Sequence, residues 1–225
     1  MIAACRAPAR RLRETPVDSD RTRHLAACDL KGASSLHILW DFDGTLINSY
    51  PNYVKAFHQM LGRPDISEDD IYPHLKVSFT QAYVEFGVSD EQRALLQLLI
   101  REFPPASFPP FPGIRDVLAA NTNVIMTHGP RAEVMKILDH HDMTKYFLEI
   151  VTIDDGFPLK PDPASYAYLH SCKPIDLAVG DRLIDILPAK ALGMKTCLFQ
   201  NPEEGADFYL NDYADFNRVI GARNR

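Results

Sequence analysis

The chain has 225 residues, 46% of them apolar, and a formal net charge of −6. That length suits one ordinary domain carrying a smaller insert, and that apolar fraction supplies a real core. The acidic balance argues against nucleic acid as a partner, and no apolar run approaches the roughly 18 residues of a membrane span.

Residues 1–35 stand apart from the rest. Arg6, Arg10, Arg11 and Arg13 precede the first acid, Glu14, with no apolar core of a secretory signal, and Asp18, Asp20 and Asp29 follow. This stretch is expected to be a poorly ordered extension. The four cysteines (Cys5, Cys28, Cys172 and Cys197) form no CxxC pair and no zinc pattern. Free thiols in a reducing cytosol are the expectation, and with them a cytoplasmic location.

The folded part is expected to begin at Leu36. Leu36 to Trp40 is a short apolar run that stops at Asp41, the mark of a buried strand. Similar runs recur at Asn123 to Met126, Leu148 to Ile153, Leu177 to Val179 and Lys195 to Phe199. Helical patterns lie between them: Ile114, Val117 and Leu118 share one face, as do Val134, Ile137 and Leu138. Pro130 and Pro163 mark helix starts, and Gly193 marks a helix end. Strands alternating with helices predict a doubly wound, Rossmann-like α/β core with a parallel sheet.

One stretch breaks the alternation. From Tyr50 to Phe108 the pattern is helical throughout, best at Asn52 to Leu61, Ser78 to Phe86 and Asp90 to Phe103. It ends in the stiff turn Phe108-Pro109-Pro110-Phe111-Pro112-Gly113. The expected organisation is a core of residues 36–49 and 109–225 with an inserted α-helical cap over 50–108. Lys76 falls between predicted helices, after a bend at Pro73.

In open α/β sheets ligands sit beyond the carboxyl ends of the strands. The strand-end segments are Asp41-Phe42-Asp43-Gly44-Thr45-Leu46, Thr127-His128-Gly129, Lys160-Pro161-Asp162-Pro163, and Gly180-Asp181 with Asp185 four residues on. Acids and one lysine therefore converge on one rim. Crowded carboxylates repel, and a hard divalent cation such as Mg2+, which prefers oxygen ligands, relieves the repulsion. Thr127, Lys160 and the backbone N–H groups of His128 and Gly129 are suited to an anion. Singly, each residue has a plainer role: Asp41 and Asp43 as turn formers, Lys160 as a solvated lysine, His128 as a structural residue, Asp185 as a helix N-cap. The ordered set carries the argument.

That ordered set resembles the haloacid dehalogenase superfamily. The Asp41 to Leu46 segment looks like its first motif, Thr127 matches the second, Lys160 the third, and Gly180-Asp181 with Asp185 the fourth. The likeness spans Leu36 to Phe199, and the helical insert resembles the small cap of the phosphoglycolate phosphatase and β-phosphoglucomutase branch. Leu75-Lys76-Val77-Ser78 and Gly180-Asp181-Arg182 resemble a bacterial phosphoglycolate-phosphatase-like subgroup. The resemblance implies a Mg2+-dependent hydrolysis of a small phosphorylated metabolite through an aspartyl-phosphate. Asp41 would be the nucleophile and Asp43 the acid/base. The metal would be held by Asp41, Asp181 and the backbone carbonyl of Asp43, with Asp185 behind them. Thr127, His128, Gly129 and Lys160 would hold the phosphate and Lys76 would face the leaving group. The oligomeric state is left as monomer or homodimer.

Three other readings compete. A phosphomutase of the same branch carries a basic cap loop of the Lys-Gly-x-Ser-Arg type; here Lys76 and Ser78 are followed by Phe79, and no Arg comes before Arg93. A receiver domain also takes phosphate on a strand-end Asp, but it has no helical insert and needs no second acid two residues on. A silent binding module would have no use for every motif position filled.

Overall fold

The computed structural model of the chain describes residues 35–221. The extension expected at the amino terminus lies, but for Ser35, outside the described residues. Strand β1 (His37–Trp40) is central, and the sheet order is β3-β2-β1-β4-β5-β6, every neighbour parallel. The other strands are β2 (Thr122–Met126), β3 (Phe147–Val151), β4 (Leu177–Gly180), β5 (Lys195–Phe199) and β6 (Phe208–Leu210). This is the doubly wound α/β fold read from the alternation. Strand β6 had no readable signal, because three residues are too few to show a period.

The chain runs from β1 out to β2 and β3, then returns to β4 on the other side of β1. That reversal opens a crevice at the carboxyl ends of β1, β2 and β4. Side chains on β1 alternate between two packed layers. Ile38 and Trp40 join the apolar faces of α5 (Ile114–Ala120), α6 (Arg131–His140) and α9 (Phe216–Gly221). Leu39 meets Tyr166 and Leu169 of α7 (Ala164–Cys172) and Ala189 of α8 (Leu183–Ala191). All four residues of β1 are buried, so a near-continuous apolar run can only be a central strand.

The residues between β1 and β2 build helices α1 (Tyr50–Leu61), α2 (Glu68–Val77), α3 (Phe79–Phe86) and α4 (Asp90–Glu102) around an apolar cluster of their own. Phe57, Ile71 and Leu96 are at its fully buried centre. The gap between helices expected around Pro73 is filled, because one helix runs through it. Ser67 and Asp70 form a reciprocal cap that starts α2, and Pro73 sits inside the helix. The carbonyl that Pro73 leaves without a donor is that of Asp69, in the exposed first turn, where solvent can serve it. Lys76 is therefore in the last turn of a helix, not in a loop. Among the described residues no helix is long and apolar enough to cross a membrane.

A buried amide ties the sheet to its surroundings. Asn123 Oδ1 accepts from Trp40 Nε1 at 2.9 Å, and Nδ2 donates to the carbonyls of Leu118 (2.9 Å), Asn121 (3.1 Å) and Tyr146 (3.2 Å). Asn123→Leu strands the indole N–H and these carbonyls in an apolar core. Each unsatisfied buried group costs about 1–3 kcal/mol, so a loss of roughly 3 kcal/mol is expected by urea denaturation. A loss below about 1 kcal/mol would show that the amide is only a space filler.

Candidate active site

The first strand continues its pairing to Asp41, whose N–H donates to Val179 O at 2.9 Å. The chain then reverses. Gly44 N donates to Ile47 O (2.8 Å), and Leu46 N and Ile47 N both donate to Phe42 O (3.0 Å). Gly44 holds φ +76°, and a Cβ there would lie 2.4 Å from the Tyr50 ring and 2.5 Å from Asp181 Oδ2. The position needs glycine for both its backbone and its surroundings. The turn sends the two acids different ways. Asp41 faces β4 and the third strand-end loop; Asp43 faces α1, where Tyr53 Oη donates to its Oδ1 at 2.7 Å.

Lys160, read alone as a surface lysine, is buried. Its Nζ donates to Asp41 Oδ1 at 2.7 Å and to Asp185 Oδ1 at 2.9 Å. The expectation that Asp185 is an N-cap needs correction. It is the third residue of α8 and reaches back, its Oδ2 accepting from Arg182 N at 3.1 Å. Gly180 allows that approach, since a Cβ on it would lie 2.3 Å from Asp185 Cβ. Burial raises the proton affinity of Asp185, but the Lys160 ammonium and Arg182 guanidinium outweigh it and hold the carboxyl down at about 2. Burial, together with the Asp185 charge, pushes Asp41 up to about 7 against the pull of Lys160. Burial also raises Asp43, and burial with the Asp185 charge raises Asp181.

Asp181 is fully buried. Its Oδ2 pairs with Lys76 Nζ, while Oδ1 accepts no hydrogen bond and has Arg182 Nε at 3.7 Å. Asp41, Asp181 and Asp185 place carboxylate oxygens within 4.8 Å of one another. A hard, oxygen-only donor set with one buried oxygen lacking a hydrogen is what a divalent cation such as Mg2+ requires. The Asp43 carboxylate is not in that group; only its backbone carbonyl could join it.

The second strand brings Thr127 to the same rim, buried, its Oγ1 accepting from Gly129 N at 3.0 Å. His128 takes a structural part. Its Nε2 accepts from Lys160 N at 2.9 Å, and burial with the nearby Lys160 charge lowers its pKa to about 4, which keeps the ring neutral. Asp41, Asp43, Thr127, His128, Gly129 and Lys160 all line one cavity of about 450 Å3, roofed by α1, α3 and α4. Lys76 does not line it. It lies at Asp181 with its ammonium 4.8 Å from the centre of the Tyr50 ring.

Sequence reasoning missed three contacts here. Thr45 Oγ1 donates to Asp41 Oδ2 at 3.2 Å, Arg182 packs its guanidinium on Asp185, and the Tyr53 hydroxyl reaches Asp43. Arg182 was at least adjacent to Asp181. Tyr53 read only as one cap aromatic among several, because no local pattern links it to Asp43.

The sequence profile of the haloacid dehalogenase-like hydrolases matches residues 38–199. A phosphoglycolate phosphatase of Vibrio parahaemolyticus is 29% identical over 182 residues, covering 69% of this chain and 79% of that protein. The crystal structure of a hydrolase from Streptococcus pneumoniae superposes with a TM-score of 0.58 at 29% identity, covering 75% of this chain and 94% of that one. A haloacid dehalogenase superfamily hydrolase, subfamily IA, variant 1, from Geobacter sulfurreducens shares the fold, with a TM-score of 0.66 at 20% identity over 82% of this chain and 99% of that one.

The buried lysine gives this site its first test. Lys160→Met keeps the side-chain volume and removes the charge between Asp41 and Asp185. Breaking a buried pair this way costs about 3–5 kcal/mol, so the variant is expected to unfold at much lower denaturant at neutral pH. Near-wild-type stability would mean that the carboxylates do not depend on the ammonium.

Proposed function

The chain belongs to the haloacid dehalogenase-like hydrolases, and on that premise we propose that it is a Mg2+-dependent phosphatase of small phosphate monoesters, with Asp41 as nucleophile and Asp43 as acid/base. The observation that carries this reading is the division between the two acids. Both open into one cavity, yet Asp41 is bound to Lys160 among the clustered carboxylates while Asp43 is bound to a neutral phenol. A nucleophile needs a cation beside its charge, and Lys160 supplies one to Asp41 against the burial that raises its proton affinity. A proton donor needs a raised pKa, which burial gives Asp43, while the Tyr53 hydrogen bond favours the carboxylate left after donation.

In the first step an Asp41 oxygen attacks phosphorus in line. The bond from phosphorus to the leaving oxygen breaks, and Asp43 gives that oxygen its proton. The product is an aspartyl-phosphate and a free alcohol. In the second step Asp43 takes a proton from water as the water oxygen attacks phosphorus, which releases phosphate and restores Asp41. Lys160 and Thr127 hold the non-bridging oxygens, with His128 and Gly129 forming the wall beside them. Asp41, Asp181 and the Asp43 carbonyl would hold Mg2+, with Asp185 orienting Lys160. When bound, the ion would offset the repulsion between carboxylate and phosphate.

The helical segment 50–108 acts as a cap over the cavity in this reading. The leaving group belongs to a small phosphorylated metabolite of the kind named for the Vibrio relative or of the sugar-phosphate type. Phe79 supports hydrolysis over mutase chemistry: where a mutase of this branch needs a cation after Ser78, an aromatic ring packs edge-on to Tyr53 at 5.4 Å. Lys76 is the cap residue proposed to face the leaving group. It can do so only when a divalent ion has taken over its carboxylate partner, Asp181.

Phosphate release from a panel of monoesters with Mg2+ tests the reaction. Asp41→Asn is expected to lose turnover by about three orders of magnitude or more while keeping its circular dichroism. Wild-type turnover in a sample free of deamidated protein would rule out Asp41 as nucleophile.

Metal binding gives a second test. Lys76→Met removes the ammonium that competes for Asp181. Mg2+ measured by calorimetry on the metal-free protein is expected to bind about tenfold tighter. Unchanged affinity would show that Lys76 does not oppose the ion.

A further inference from the structure

Tyr53 is not used by the mechanism above, yet it hydrogen-bonds the proposed acid/base. Its hydroxyl donates to Asp43 Oδ1 at 2.7 Å. The other carboxylate oxygen has different surroundings. A Cβ built on Gly129 would lie 3.9 Å from Asp43 Oδ2 and 3.4 Å from Thr127 Oγ1. Oδ2 thus faces the strand-end loop that borders the anion, and Oδ1 faces away from it into the cap. Left alone, a carboxyl group can rotate and exchange its two oxygens. Here one of them is held.

We infer that Tyr53 is a positioning residue that fixes Asp43 with Oδ2 as its proton-carrying oxygen, an inference that rests on the acid/base reading of Asp43. An oxygen already accepting a short O–H bond is the poorer site for the proton, so the proton is carried on Oδ2, towards the leaving oxygen. As the phosphorus–oxygen bond breaks, that proton moves from Oδ2 to the leaving oxygen. The negative charge left on Asp43 is stabilised by the Tyr53 hydroxyl, which keeps its own proton. In the second step the water proton returns to Oδ2.

The tyrosine is itself held. Its ring meets Phe79 at 5.4 Å, Phe108 at 6.2 Å and Tyr50 at 6.3 Å between centroids, two of them edge-on. These partners come from α1, from the start of α3 and from the return to the core. The acid is therefore aligned only while the helical segment is seated on the strand ends. Proton donation and seating of the cap are one geometric event.

The test compares Tyr53→Phe, Asp43→Asn and the double variant on p-nitrophenyl phosphate and on the best alkyl phosphate of the panel, at saturating Mg2+. The nitrophenolate leaves without a proton; the alkoxide needs one. Because both esters share the second step, losses are compared in kcat/KM, which reports only the steps up to alcohol release. Tyr53→Phe is expected to lower it about tenfold for the alkyl ester and by no more than about threefold for the nitrophenyl ester. In the Asp43→Asn background it should add nothing, since it acts through Asp43. Equal losses on both esters, or a full further loss in the double variant, would overturn the inference and leave Tyr53 as a packing residue. The outcomes separate from those of the underlying reading. If Asp43→Asn itself affects both esters equally, the acid/base role falls and this inference with it. If Asp43→Asn discriminates and Tyr53→Phe does not, only this inference falls.

Discussion

The site depends on one buried ion pair extended to three members: Asp41, Lys160 and Asp185. Two carboxylates that would otherwise repel are held by a single ammonium, at 2.7 and 2.9 Å, with the lysine side chain only 1% exposed. An ammonium can be buried only if it is paired, and a carboxylate likewise. Each of the three therefore requires the others: Asp41 follows β1, Lys160 lies in the loop between β3 and α7, and Asp185 is in the first turn of α8, after β4. The ladder β3-β2-β1-β4 brings these segments together, and the ion pair makes any other arrangement of the loops costly. The left-handed Gly44 and the absent side chain of Gly180 follow from this, because both make room for acids packed against their neighbours.

Much of this was legible in the sequence, for a physical reason. A strand buried on both faces is apolar along its whole length, and a polar residue at its end is conspicuous. Asp41, Thr127 and Asp181 each stop such a run, which makes the strands and the rim readable together. What was not legible is contact between segments far apart in the chain. Lys160 follows a loop, not a strand run, and nothing local distinguishes a buried lysine from a solvated one. Tyr53 reaches Asp43 through the placement of α1, which no periodicity encodes. Pro73 misled because proline is a helix breaker on average; after a strong reciprocal cap at Ser67 and Asp70, the cost falls on one exposed carbonyl. Strand β6 is too short to carry a pattern at all.

The helices of residues 50–102 add a second level of dependence. They have their own apolar cluster, so their internal packing does not need the sheet. Two polar contacts from them reach the strand-end acids: Tyr53 to Asp43 and Lys76 to Asp181. These differ in kind. The phenol is neutral and its hydrogen bond is compatible with a cation nearby. The ammonium is a cation, and it sits on the carboxylate that a metal ion would use.

Charge counting then orders the events. Asp41, Asp43, Asp181 and Asp185 set four acids against the three cations Lys76, Lys160 and Arg182. With Asp43 carrying a proton the set is balanced, and a phosphate dianion would enter a cavity with no spare positive charge. Two of the cations are fixed: Lys160 between carboxylates and Arg182 on Asp185. Lys76 alone comes from a helix that packs outside the core. A divalent ion at Asp181 would bring two positive charges and release Lys76 in the same act. Both changes favour an anion in the cavity, so the ion is expected to bind ahead of the substrate. In the proposed reaction the helical segment would then lie over a site charged to receive phosphate and, through Tyr53, aligned to give its proton.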